Sequence, residues 1–135
     1  MNIQEKAMGL HQQGFNCAQS VICAVCDQIG LDARTAKAIS GGFGGGLRCG
    51  EVCGAVSGAI MAMGMVCPYV DATDTAARDH LAELAKEVTG RFRAEYNCLR
   101  CADLIQAAGG RRRCGEFIGF CAALAEEIIV REQQA

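Results

Sequence analysis

Ten cysteines stand in a chain of 135 residues, with the run Arg48-Cys49-Gly50-Glu51-Val52-Cys53-Gly54-Ala55-Val56-Ser57-Gly58 at their centre. Thiolates are ligands for soft metals and the nucleophiles of disulfide exchange, so this excess points to bound metal or to thiol redox chemistry. Two pairs have Cys-x-x-Cys spacing, Cys23 with Cys26 and Cys98 with Cys101, and Cys49 stands four residues before Cys53. Neither the bacterial ferredoxin string C-x2-C-x2-C-x3-C nor the plant-type C-x4-C-x2-C can be matched, so an iron-sulfur cluster would have to be assembled from distant segments. Zinc is the lesser alternative, because paired knuckles would require the two Cys-x-x-Cys pairs to converge. Haem is disfavoured, since no Cys-x-x-Cys-His occurs and the two histidines, His11 and His80, read as surface residues of ordinary helices.

The elements that must position these thiols read as helices. No segment alternates with a period of two, so the fold class is all-α: a single-domain helical bundle over residues 1-135, with about six or seven helices and a glycine-rich loop before the central one. A first helix covers Ile3 to Gln13 and ends at Gly14. Asn16 and Gln19 have the spacing of a capping box, which starts a second helix that runs to about Ile29 and stops at Gly30. Asp32 caps a short third helix to about Ile39. The loop Gly41-Gly42-Phe43-Gly44-Gly45-Gly46 follows, whose five glycines cannot sit stably in a helix. The central helix runs from Val52 to Met65, and Pro68 closes the segment after it. Asp71, Thr73 or Asp74 caps a long amphipathic helix to about Thr89, broken by Gly90. Asn97 caps a helix through Ala108 that Gly109-Gly110 ends, and a last helix covers Cys114 to Arg131.

With these boundaries Cys17, Cys53, Cys98 and Cys114 each fall in or beside the first turn of a helix. Free N-H groups and the positive end of the helix dipole stabilise a thiolate there, which both metal binding and disulfide exchange require. Arg48, Arg100 and Arg111 to Arg113 would offset the charge of a thiolate-metal centre, although Arg111 to Arg113 also read as a solvated loop. Gly44, Gly45 and Gly46 would let backbone amides reach thiolate or sulfide sulfur, the alternative being a flexible connector. No Gly-Lys-Ser/Thr follows them, so a phosphate loop is a poor reading. Cys23 and Cys26 lie in mid-helix and read as core packing, and Cys67 and Cys121 as structural. Cys49 and Cys101 stay open between function and packing.

A net charge of -2, two tyrosines and no tryptophan give no basic surface or stacking platform for nucleic acid. Val52 to Val70 carries no charged residue over nineteen positions, but its glycines, Ser57, Cys53, Cys67 and Pro68 suit a buried helix crossed closely by its neighbours, not a membrane span. The same helix could pair two copies as a homodimer. Met1 to Met8 lacks a secretory apolar run, and the expected compartment is the reducing cytoplasm.

The residues Cys53-Gly54-Ala55-x-x-Gly58, with Asn16-Cys17-Ala18-Gln19 upstream and Cys98 and Cys114 downstream, resemble the redox-active C_GCAxxG_C_C family over nearly the whole chain. The resemblance implies four recurrent cysteines, here Cys17, Cys53, Cys98 and Cys114, with Cys121 a rival for the last place. It also implies an iron-sulfur or similar redox prosthetic group, and extends loosely to the cluster-bearing part of split-Soret cytochromes, whose haem-attachment motif is absent. The expected function is electron transfer to a redox partner protein, through an iron-sulfur cluster held by these four thiolates and not by Cys23, Cys67 or Cys121. One alternative is a metal-free thiol-disulfide oxidoreductase or redox sensor, with Cys53 as the low-pKa nucleophile and Cys49 or Cys98 as its resolving partner. A second alternative is a structural zinc protein. No catalytic residues are assigned.

Overall fold

The computed structural model describes residues 1-135 as seven α-helices: α1 (Ile3–Gln12), α2 (Cys17–Val25), α3 (Ala33–Ser40), α4 (Gly54–Val66), α5 (Thr75–Tyr96), α6 (Cys101–Ala108) and α7 (Cys114–Gln133). The fold is all-α. No helix is long and apolar enough to cross a membrane.

Local chemistry sets most of the boundaries. Asn2, Asn16, Asp32 and Asp74 cap α1, α2, α3 and α5, each accepting from a backbone N-H three residues on. At α2 the capping box is complete: Asn16 Oδ1 accepts from the Gln19 N-H at 3.0 Å, and Gln19 Oε1 accepts from the Asn16 N-H at 3.1 Å. Gly109, in the left-handed region at φ 73°, ends α6.

Three expected boundaries are corrected. The second helix stops at Val25 and not near Ile29, which puts Cys23 in its last turn and Cys26 at its C-cap. The long amphipathic helix does not stop at Gly90; α5 continues to Tyr96. A glycine inside a helix costs about 1 kcal/mol, and this one is offset by what lies beyond it. Phe92 is fully buried, and its ring meets Tyr96, Phe117 and Phe120 at centroid distances of 4.9, 5.8 and 6.0 Å. Asn97 does not begin the next helix. It ends α5 in the left-handed conformation at φ 71°, its N-H donating to the Arg93 carbonyl, and α6 begins only at Cys101.

The core lies where α2, α4 and α7 cross. Val21, Ile22 and Val25 of α2, Val56 and Met63 of α4, and Ile118, Ile128 and Ile129 of α7 are buried there, each worth roughly 1.5-3 kcal/mol of apolar transfer. Close approach of α2 to α4 depends on glycine. A Cβ on Gly58 would lie 2.6 Å from the Ala18 carbonyl oxygen, and one on Gly54 would lie 3.2 Å from the Cys17 Cβ. Within the uncharged stretch, α4 buries Ala55, Val56, Ala59, Ala62 and Met63, whereas Met65, Tyr69 and Val70 are exposed.

Candidate redox site

Four cysteines occupy helix starts. Cys17, Cys101 and Cys114 are the first residues of α2, α6 and α7, and Cys53 is the N-cap of α4. They lie near enough for charge to act between them: Cys17 feels Cys53, Cys101 and Cys114, and Cys53 feels Cys101 and Cys114.

The motif around Cys17 has a mechanical role. Asn16 caps the helix and donates from Nδ2 to the Gly41 carbonyl at 2.9 Å, while Gln19 donates from Nε2 to the Lys37 carbonyl at 3.1 Å. These two bonds pin the glycine-rich loop against the start of α2. Gly44 is where the loop touches, since a Cβ there would lie 2.6 Å from Asn16.

Cys53 and Cys101 are brought together by an isolated antiparallel bridge between Val52 and Arg100. The Cys53 N-H donates to the Leu99 carbonyl at 2.8 Å, and the Cys101 N-H to the Glu51 carbonyl at 2.6 Å. Arg100 and Glu51 add an exposed ion pair at 3.4 Å, of small energetic weight. Gly46 sits against this bridge, where a Cβ would run into the Glu51 backbone and come within 2.7 Å of the Cys101 Cβ.

Between Gly44 and the bridge the backbone turns left-handed for four residues, at φ 64° for Gly45 and Gly46, 60° for Leu47 and 62° for Arg48. For the two non-glycine residues this costs about 1-2 kcal/mol each. The turn is closed by the Glu51 N-H donating to the Gly46 carbonyl at 2.8 Å. It puts Arg48 and Gly45 on the wall of a cleft of about 210 Å³, which His11, Asn16, Cys17, Arg111 and Cys114 complete. Strain of this kind collects at functional sites.

The thiols differ in acidity. Cys114 is held down to about 6, first by the proton of the neighbouring Cys17 thiol and then, against the cost of burial, by the positive charges of Arg111 and His11. Cys17 is pushed up by the same contact, by burial and by the other three thiols. Burial raises Cys53 to about 11 although the amides of Ala55 and Val56 favour its thiolate; they do not close a regular capping bond.

The structure thus brings Cys17, Cys53 and Cys114 together. Cys98 lies outside the helix start expected for it, because Asn97 closes α5 and α6 begins four residues later, at Cys101; its thiol points to the Tyr96 carbonyl at 3.7 Å. Cys101 takes the helix-start place. The expected low-pKa nucleophile is also corrected: Cys53 is buried and raised, whereas Cys114 is the acidic thiol and Cys17 its neighbour. Cys49 is exposed, its thiol pointing to the Gly46 carbonyl at 3.6 Å. Cys23, Cys26 and Cys121 lie in the core.

His11, read as an ordinary surface residue, lines the cleft with Nδ1 3.0 Å from the Phe15 carbonyl oxygen; nothing in its sequence context marks it. The basic run divides by residue. Arg111 faces Cys114, while Arg113 forks onto Glu116 at 2.7 and 3.0 Å and lies over Tyr96 and Phe117.

Fold and site together define an all-α protein with a thiol centre assembled at helix N-termini. All four thiols fall within residues 15–128, which match the family described as "Putative redox-active protein (C_GCAxxG_C_C)", and the chain belongs to that family. No curated protein and no solved structure matches it.

Proposed function

We propose that Cys17, Cys53, Cys101 and Cys114 hold an iron-sulfur cluster and that the protein transfers electrons through it. The carrying observation is the convergence of four thiols from four helix N-termini, the positions where backbone N-H groups best support thiolate charge. An all-sulfur donor set is the soft environment that iron-sulfur clusters and zinc use. The family's description as redox-active favours a cluster over redox-silent zinc.

When bound, such a cluster supplies reversible one-electron storage. Arg48, Arg111 and His11 offset the thiolate charge, and burial of Cys53, Cys101 and Cys114 excludes water. Both act on reduction potential. The left-handed turn at Gly45 and Gly46 brings the loop backbone against Cys101 and the cleft, where amides can donate to sulfur.

The test is anaerobic purification followed by absorption spectroscopy with iron, acid-labile sulfide and zinc analysis on the same sample. Stoichiometric iron and sulfide with a brown chromophore are expected. A colourless protein that stays without iron after reconstitution contradicts the reading. A second reading is favoured by one observation, the acidic Cys114 beside the Cys17 thiol: a metal-free dithiol that closes a Cys17-Cys114 disulfide on oxidation. In that case mild oxidation removes two titratable thiols from the unmutated protein and none from Cys17→Ser, where Cys114 has lost its partner.

A further inference from the structure

At the other end of α4, fourteen residues and about 20 Å of helix from Cys53, three side chains from three helices meet. Cys67 is the C-cap of α4, His80 lies near the start of α5, and Glu132 is in the last turn of α7. Their ligand atoms all lie within 4.8 Å of one another, with Cys67 Sγ 3.4 Å and His80 Nε2 2.5 Å from Glu132 Oε1.

We propose that Cys67, His80 and Glu132 form a second metal site, separate from the thiol centre, that takes zinc or a related borderline divalent cation and leaves a fourth position open. Thiolate, imidazole and carboxylate together suit zinc and exclude the all-oxygen cations calcium and magnesium. The Cys67-Glu132 separation is already near the edge of a zinc tetrahedron, roughly 3.6 Å for bonds of about 2.3 Å to sulfur and 2.1 Å to oxygen. The imidazole has to withdraw from the carboxylate by less than about 1 Å to open its own edge, and His80 is free to do so because its side chain is 49 % exposed. One thiolate and one carboxylate neutralise the two positive charges of the ion.

The supporting contacts are also present. Arg131 Nε lies 3.5 Å from the other carboxylate oxygen of Glu132. The same guanidinium is forked onto Glu87 at 2.7 and 3.1 Å, which fixes it between α5 and α7. Glu132 is only 14 % exposed and Cys67 is half-buried, so the open coordination position faces solvent on the His80 side. Three protein ligands with one open position is the arrangement that lets a bound zinc keep a water or accept an outside ligand. The site also ties the turn after α4 to the last turn of α7.

The experiment is a titration of the anaerobically purified full chain with Co²⁺ and Zn²⁺, read by absorption and by metal analysis. One equivalent of Co²⁺ with a thiolate charge-transfer band and tetrahedral visible bands is expected, retained in Cys17→Ser and Cys114→Ser and absent in Cys67→Ser. His80→Gln, at an exposed position where folding is not at risk, should weaken that equivalent roughly tenfold or more, and Arg131→Gln by roughly tenfold. Cys67→Ser should keep its iron, since Cys67 is not expected to hold the cluster, and lose only this divalent ion. Unchanged binding in both Cys67→Ser and His80→Gln overturns the site, as does loss of the same equivalent in Cys17→Ser. Neither outcome depends on whether the thiol centre carries iron.

Discussion

The two Cys-x-x-Cys pairs have the same spacing and opposite surroundings. Cys23 and Cys26 end α2, with Cys26 at its C-cap, and burial raises both thiols, helped by the neighbouring Cys26 for Cys23 and by Asp27 for Cys26. Carbonyls and the negative end of the helix dipole surround them, which discourages thiolate. Cys98 and Cys101 straddle the start of α6 instead, and Cys101 joins three other helix-start thiols. The difference teaches that spacing alone does not mark a site. In the proposed account the end of the helix that the sulfur occupies does, and α2 carries both cases, with Cys17 at one end and Cys26 at the other.

The largest expected effect breaks the comparison outright. Cys114→Ser should abolish both cofactor incorporation and thiol alkylation at mildly acidic pH. Cys23→Ser should keep the full iron and sulfide content and lose only stability, by about 1-3 kcal/mol for a hydroxyl buried without a good partner. Iron analysis and urea unfolding measure the two. Equal iron loss in both variants would remove the distinction between helix ends.

Next in size is the packing that seats Cys17. Gly58→Ala drives a Cβ into the Ala18 carbonyl, where backbone cannot yield as a side-chain tip would, and should cost about 1-3 kcal/mol. Gly64→Ala, in the same helix with open space around it, should be stabilising by about 0.5-1 kcal/mol. Urea midpoints of the two variants should move in opposite directions.

The pH dependence of the metal-free protein sharpens the comparison further. Cys114 has a folded pKa near 6, below that of an unfolded thiol at about 8.5. The unfolded chain therefore binds more protons between these values, so stability rises with pH across that window and is lost as pH falls through 6. Cys17 and Cys53 are raised, Cys53 to about 11. Their contribution is present below about pH 8.5 and lost above it. Stability should peak near the ordinary thiol pKa, and Arg111→Gln should flatten the acid limb. The smallest effect is at Asn97, where Asn97→Gly suits φ 71° and should change stability by less than about 1 kcal/mol, leaving Cys101 in place.

Much of this arrangement was legible because local chemistry and tertiary packing agree. The Asn16-Gln19 capping box, Asp32, and Gly109 after α6 end or begin helices through bonds made within a few residues, so the pattern was enough for Cys17. Gly90 and Asn97 were misread for one shared reason. Glycine breaks a helix only when nothing beyond it is worth burying, and here Phe92 and Tyr96 are. Asparagine both caps helix starts and ends helices in the left-handed region, and only the aromatic cluster decides which. That ambiguity hid Cys101. The left-handed Leu47 and Arg48 could not be foreseen, since neither residue type favours that conformation, and His11 and Glu132 owe their roles to helices distant in sequence.

The most direct test of the helix-start account is a side-by-side comparison of Cys98→Ser and Cys101→Ser, purified anaerobically and analysed for iron and acid-labile sulfide. The account predicts that Cys101→Ser loses or alters the cofactor while Cys98→Ser keeps it at the unmutated level. Loss in Cys98→Ser with full retention in Cys101→Ser would contradict it.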